Sequence, residues 1–420
     1  MEVMRRSLCV MIVLLLSPAC SDDVGSEASS TSAASGAGAG AGGSGAGASG
    51  SGAGGPGGST GSGGAPSCAD ALAGRTSVTT IDVTQAASKA IYAEGPAGGV
   101  IAWSAPDGVH VTSLDAADGR VGEDIVIAGT EPFGVAVGPG GESVVLLSRP
   151  PDFMSFVRVD SAGAALAEVD LVGGGDHLQQ GVEWFGEFAR TGRLADRGDG
   201  TYAAYFALHR RWPDDIGHQG DTLRLLDANG GALGGWDWGC SHSLDQRIAS
   251  AAGQLGPICL SDCFPGKGIY FNHDDVEIVS DPAANCAGGA STVLGGVVPA
   301  SEGGFWLSYG KLEGQSHAMT LARLDQAGVV VSSSAIPAGD PAQHKLARYG
   351  GAGLLLGRGE GGSFVLEQRD GAGMPVGEPE IVPGLASPDQ DFVEHSAGDV
   401  VWAWAEGQTL KVARVRACTP

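Results

Sequence analysis

The alternation of turns and apolar runs along this chain is clearest in residues 300–328. A tight turn, Ser301-Glu302-Gly303-Gly304, leads into Phe305-Trp306-Leu307-Ser308-Tyr309. That run is apolar at nearly every position, as expected of a strand covered on both faces. A polar loop follows. Residues 319–324 then alternate apolar and polar, as in a strand nearer a sheet edge, and a second turn closes the unit at Asp325-Gln326-Ala327-Gly328.

The unit recurs. Turn-plus-apolar-strand copies begin at Val100, Val144, Tyr202, Ile269, Leu354 and Val400, and with Phe305 they make seven. The alternating strand and its turn recur at Leu114-Asp115-Ala116-Ala117-Asp118-Gly119, Val159-Asp160-Ser161-Ala162-Gly163, Leu226-Asp227-Ala228-Asn229-Gly230 and Arg369-Asp370-Gly371. Asp or Asn ahead of Gly suits such tight turns. Short strands repeating about every 40–50 residues predict an all-β chain, a seven-bladed β-propeller of four-stranded blades. A two-sheet sandwich is the alternative, and seven matched units fit it poorly. No WD, kelch or Asp-box signature is present, so the architecture by itself imports no function.

The two ends of the repeat complement each other. Residues 409–415 form the third strand of the last unit and leave it without an outer one, while residues 76–83 form a lone strand with no unit of their own. Placing the N-terminal strand in blade seven closes the ring and removes an open edge. Cys68 and Cys418 flank these two strands, and a disulfide between them is expected to staple the ring.

Ahead of the repeat, Arg5-Arg6, an apolar run over residues 8–16 and Ser17-Pro18-Ala19-Cys20 read as a signal peptide, too short to span a bilayer permanently. The Ala19-Cys20 junction resembles the lipobox of bacterial lipoproteins, although Ser17 stands where that family usually has Leu. The resemblance implies cleavage after Ala19, acylation of Cys20 (palmitate among the chains), and a stable anchor in the cell envelope, with the outer membrane the expected address. Residues 20–67 are mostly Gly, Ala and Ser with almost nothing to bury, the composition of a disordered tether reaching about 35–40 Å. The expected division is therefore a signal peptide over 1–19, a lipidated tether over 20–67 and a propeller over 68–420.

Charge narrows the partners. The 420 residues carry 24 basic and 48 acidic side chains, a net charge of −24. Nucleic acid is excluded as a partner, because its affinity rests on Lys and Arg at phosphates. Of the eight cysteines, Cys9 leaves with the signal and Cys20 takes lipid. An even set remains for disulfides in an exported protein: Cys68 and Cys418, with Cys240, Cys259, Cys263 and Cys286 open to three pairings. A four-cysteine zinc site is the alternative for the central four, against the compartment and the spacing.

In a propeller, the loops joining strands two and three open on the same face as the blade junctions. On that scheme most histidines share one rim, and the longest loops belong to blade three and its junction with blade four. The candidate binding rim is His209, Arg211, Trp212, His218, Asp221, His242, His273 and Asp274, expected to line one pocket mouth. Aromatic and charged groups together suit a glycan, a peptide or an envelope protein. No cofactor is predicted; a transition metal held by the histidines is the alternative. The first reading is a monomeric, membrane-tethered propeller that binds a ligand or partner without chemistry of its own. The alternatives are an envelope enzyme, a polysaccharide lyase or hydrolase using the same rim, and a structural component of an outer-membrane assembly.

Overall fold

The computed structural model describes residues 72–418 except 151–152, 172–182, 185–189, 212–216, 242–244, 252, 264, 272–275, 282–290 and 314–315. Signal, Cys20 and tether lie outside the described residues.

Seven antiparallel sheets stand in a ring, six of them built in chain order from an inner strand outward. Blades one to six span residues 90–127, 131–170, 192–236, 245–280, 292–336 and 340–381. In blade three the two-residue strand Glu183–Trp184 also pairs with Arg211 and Arg210 of the second strand. Blade seven is the mixed one. Val393–Glu394, Val400–Glu406 and Thr409–Val415 are completed by the N-terminal strand Thr76–Asp82, which pairs antiparallel with Thr409–Val415 from Thr76↔Val415 to Asp82↔Thr409. The expected closure by the N-terminal strand is what the structure shows.

The core is divided among the seven seams. Each apolar cluster draws its side chains from two adjacent blades: Trp402 and Phe364 between seven and six, Trp103 and Leu410 between one and seven, Phe271 and Phe305 between four and five. This explains the near-continuous apolar second strands, since both faces of every blade are covered. Inner strands approach one another closely at Gly134 and Gly296. A Cβ on either would lie 2.5 Å from the backbone nitrogen of Leu194 or Leu346 in the next blade, so each position takes glycine.

One marker of the repeat sits on a different strand from the other six. Ile269 belongs to the third strand of blade four, Gly268–Phe271, whereas the second strand is Gln254–Ser261. Pro257 and the small residues around it mask that strand's apolar run. His273 and Asp274, outside the described residues, thus fall in the connection between strands three and four, not two and three as the sequence reading has it.

The outer turns repeat to the atom. Asp115, Asp160, Asp227, Asp325 and Asp370 each accept, through Oδ1, the backbone N–H groups two and four residues on, at 2.8–2.9 Å. The residue three after each Asp is left-handed: Gly163, Gly230, Gly328 and Gly373 at φ 80–83°, but in blade one Asp118, at φ 62°. The cause is functional to the ring. Asp118 is buried and takes Arg414 of blade seven in a two-pronged pair at 2.8 and 2.7 Å, and Arg414 reaches Asp399 at 3.2 Å.

Candidate functional site: the central channel and its plug

His209, Arg211, His218 and Asp221, expected on a long loop of blade three, lie on strands. His209 lies in Tyr202–Arg211 and pairs with Gln219; His218 and Asp221 lie in the equally long partner Gly217–Leu226. The hairpin of blade three simply extends, because its polar residues keep the ladder paired. His209 is buried and His218 half-buried. Asp221 is fully buried, accepts the hydroxyl of Tyr205, and sits beside the Cys240–Cys259 disulfide rather than at a pocket mouth. Arg211 pairs through its backbone with Gly217. Trp212, His242, His273 and Asp274 lie outside the described residues. Cys240–Cys259 selects one of the three pairings open to the central cysteines. Cys263 and Cys418 are also disulfide-bonded, with partners outside the described residues.

The structure directs attention to the axis of the ring. Inner strands run from the blade-junction face toward the face of the first turns, so their C-terminal halves line the channel near that second face. There a cavity of about 400 Å³ is lined by all seven blades, with Ile91, Val135, Ile248, Val297 and Phe392 among its apolar walls.

The channel is closed on its other side by the segment that enters blade seven, residues 389–392. Asp389 accepts the backbone N–H of Ala90 at 2.8 Å and of Ala405 at 2.9 Å. From that anchor the next two residues cross the axis. The amide of Gln390 donates to the carbonyls of Phe133 (2.6 Å) and Gly192 (2.9 Å), in blades two and three. Its own carbonyl accepts Lys345 of blade six at 2.6 Å. The Asp391 carboxylate accepts the guanidinium of Arg193, in blade three, and faces Arg247 of blade four at 3.5 Å. Arg247 is further paired with Asp245 and donates to the Gly295 carbonyl at 2.9 Å. One short segment thereby ties five blades together across the axis.

Electrostatics follow from this crowding. Burial pushes the Asp391 carboxyl up, but Arg193, Arg247 and Lys345 outweigh it and hold it well below the usual carboxylate range. Burial brings the Lys345 ammonium down to about 8; the Asp391 charge opposes the fall and the two arginines add to it. Of these groups Arg193 and Asp391 line the cavity, and they are paired with each other. The mouth is acidic. Glu94, Asp196 and Glu394 line it with Arg348 the one cation among the charged groups there, paired to Glu394 at 2.7 Å. Glu94 accepts the Ser396 backbone N–H at 2.9 Å and faces His395 at 3.1 Å.

The rim reading passed over these groups, yet the sequence holds a signal for them. Arg193-Leu194-Ala195, Arg247-Ile248-Ala249 and Lys345-Leu346-Ala347 repeat a basic–aliphatic–Ala step at one level of three inner strands. A cation recurring inside apolar strands calls for a shared counter-charge, and Asp391 is it.

The fold and this site define a closed-ring, seven-bladed β-propeller with a plugged channel. No protein-family profile and no curated protein matches the chain. Among solved structures it is similar to virginiamycin B lyase from Staphylococcus aureus, at 10% identity and TM-score 0.45 over 80% of this chain and 99% of that one. A streptogramin B lyase aligns at 9% identity and TM-score 0.47 over 82% and 99%. The WD40 β-propeller domain of Doa1 aligns at 12% and 0.42 over 80% and 95%. Likenesses this distant say nothing of what the chain binds.

Proposed function

We propose that the protein is a lipid-anchored propeller of the cell envelope that binds a small ligand in the plugged channel. The observation that carries this is the plug: a channel crossed by hydrogen-bonded residues at one end becomes a cup with one mouth, and a cup of about 400 Å³ lies in the range of small-molecule sites. The inner strands also turn toward the axis the backbone edge that no neighbouring strand pairs, which offers an occupant polar partners. The Ala19-Cys20 junction supports the anchorage, and the rigidity of a ring pinned across its axis supports binding by a preformed site.

The test is to fill the cup. Ser250 lines the cavity and is half-buried, so Ser250→Trp should occlude it with little damage to the seams. Native mass spectrometry after incubation with a small-molecule envelope extract should show a bound mass on the wild type and none on Ser250→Trp. Equal loading of both, or no bound mass on either, would refute the reading. Metabolic labelling with a palmitate analogue tests the anchor separately: the wild type should be tagged and Cys20→Ser should not.

A further inference from the structure

The charged side chains that line the cup leave it net negative. Arg193 is paired with Asp391, and Arg348 with Glu394. That leaves Glu94 and Asp196. Behind the wall, Arg247 and Lys345 stand against Asp245 and Asp389, two cations to two carboxylates, so the second layer adds no net charge. Neither remaining carboxylate forms an ion pair with Lys or Arg among the described residues. Glu94 accepts the Ser396 N–H at 2.9 Å and the Ser396 hydroxyl, and faces His395 at 3.1 Å, which is charged only when protonated. Asp196 is exposed and engaged by its own turn, through the Gly198 N–H at 2.8 Å. Arg197, next in that turn, donates to Thr201 at 3.1 Å and stands beside Asp199.

A second cavity makes the position of these two carboxylates informative. A hollow of about 390 Å³ lies on the same face, walled by the first turns of blades one, two and three, with Pro96, Pro139 and Gly198 among its lining. Glu94, Val137 and Asp196 line both spaces. Among the described residues, Glu94 and Asp196 are the only charged groups lining the outer one. The unpaired carboxylates thus stand where an apolar-walled cup opens into a hollow made of turns.

We infer that the cup takes an organic cation, an amine with an apolar body, its ammonium held at the mouth by Glu94 and Asp196. This rests on the reading of the channel as a binding cup and adds the ligand's charge to it. An ammonium brings three N–H donors to two carboxylates that still have acceptor capacity. Its body would lie against Val135, Ile248 and Val297. An anion would meet a negative mouth and find both lining cations already paired. A bare divalent cation such as calcium asks for about six to eight oxygen ligands. No three ligating atoms of acidic, His or Cys side chains converge at the mouth among the described residues. The net charge of −24 also draws cations toward the molecule.

The probes are hexylamine, hexanol and hexanoate, with phenethylamine and phenethyl alcohol as a bulkier pair, titrated calorimetrically on the full-length protein at low salt. Each amine should bind about tenfold tighter than its alcohol, as two partly exposed ion pairs allow, and hexanoate should not bind. Asp196→Asn, at an exposed position whose turn bond Asn retains, should weaken the amines about threefold and leave the alcohols unchanged. Glu94→Gln should do the same; if it fails to fold, Asp196→Asn still decides. Alcohol or hexanoate binding as well as the amine, no amine bound, or amine affinity untouched by Asp196→Asn would overturn the cation. Amine binding that survives Ser250→Trp would also overturn it, because the ligand would then lie outside the cup. Calcium titrated alone should show no site, and a calcium site lost in Asp196→Asn would assign the carboxylates to a metal instead. If the amines fail while extract loads the wild type but not Ser250→Trp, the cup stands with another ligand.

Discussion

Ring closure rests on a strained residue, and replacing it should expose how much the closing pair contributes. Asp118 occupies the left-handed position that four other blades give to glycine. Asp tolerates that conformation better than most residues, yet glycine should regain about 1 kcal/mol of backbone energy there. Against this stands the pair with Arg414. Both side chains are nearly buried, at 5% and 7% exposure, and two charge-assisted hydrogen bonds join them. Removing one partner of a buried pair costs about 3–5 kcal/mol, because the other charge is left uncompensated. Asp399 remains at 3.2 Å from Arg414 and reduces that to about 2–4 kcal/mol. Asp118→Gly should thus destabilise by about 1–3 kcal/mol net, and Asp118→Asn, which keeps the turn and one acceptor, by less. Urea unfolding followed by tryptophan fluorescence reads this directly, since Trp402 and Trp103 lie in the two seams that flank the closing strand. A double-mutant cycle with Arg414→Met should give a coupling above about 1.5 kcal/mol. If Asp118→Gly is as stable as the wild type, backbone relief equals the pair and the closure is not electrostatic.

Two further outcomes are expected. Peptide mapping without reduction should join Cys418 to Cys68 and Cys263 to Cys286; Cys418 paired with a central cysteine would refute the staple. His344 is fully buried with neither ring nitrogen hydrogen-bonded among the described residues, and burial, helped by Arg358, lowers it to about 4. Below about pH 6.5 the unfolded chain takes a proton there that the folded one refuses, so stability present above 6.5 is lost as pH falls toward 4, by up to about 3 kcal/mol. The wild type should lose stability relative to His344→Leu over that window in urea midpoints, and parallel profiles would show that His344 is not the cause.

The fold was readable because its seams demand it. A second strand covered by two neighbours has to be apolar throughout, and an outer turn held by an Asp and a left-handed residue has to write Asp and Gly at fixed places. Both marks recur in a single sequence without comparison to any other. Blade four escaped because Pro257 interrupts the apolar run of its second strand and the third strand, Gly268–Phe271, mimics it. The binding rim was harder to read for a different reason. Polar residues between apolar runs suggest a loop, but a ladder can continue through polar residues when the hairpin is long, as His209 and Asp221 show. Periodicity separates faces of a strand; it does not find where a hairpin ends.

The plug was missed because it breaks the repeat instead of following it. Blade seven has an inner strand of two residues, Val393–Glu394, where blade one has six and blade six has ten. The shortening has a physical partner in the closure. The N-terminal strand supplies this blade's outer edge, so its sheet is complete in number while its inner edge is free to depart from the ladder. Asp389 stays bonded to this sheet at Ala403 and Ala405, and Gln390 then spends its hydrogen bonds on blades two, three and six. Asp391 then becomes the common counter-charge for cations at one level of blades three and four, and Lys345 of blade six joins them through Gln390. The blade that closes the ring at its rim therefore also pins it at its axis. Of the charges that pin it, Arg193 and Asp391 also line the cavity, so a change at either alters the pinning and the cavity wall together.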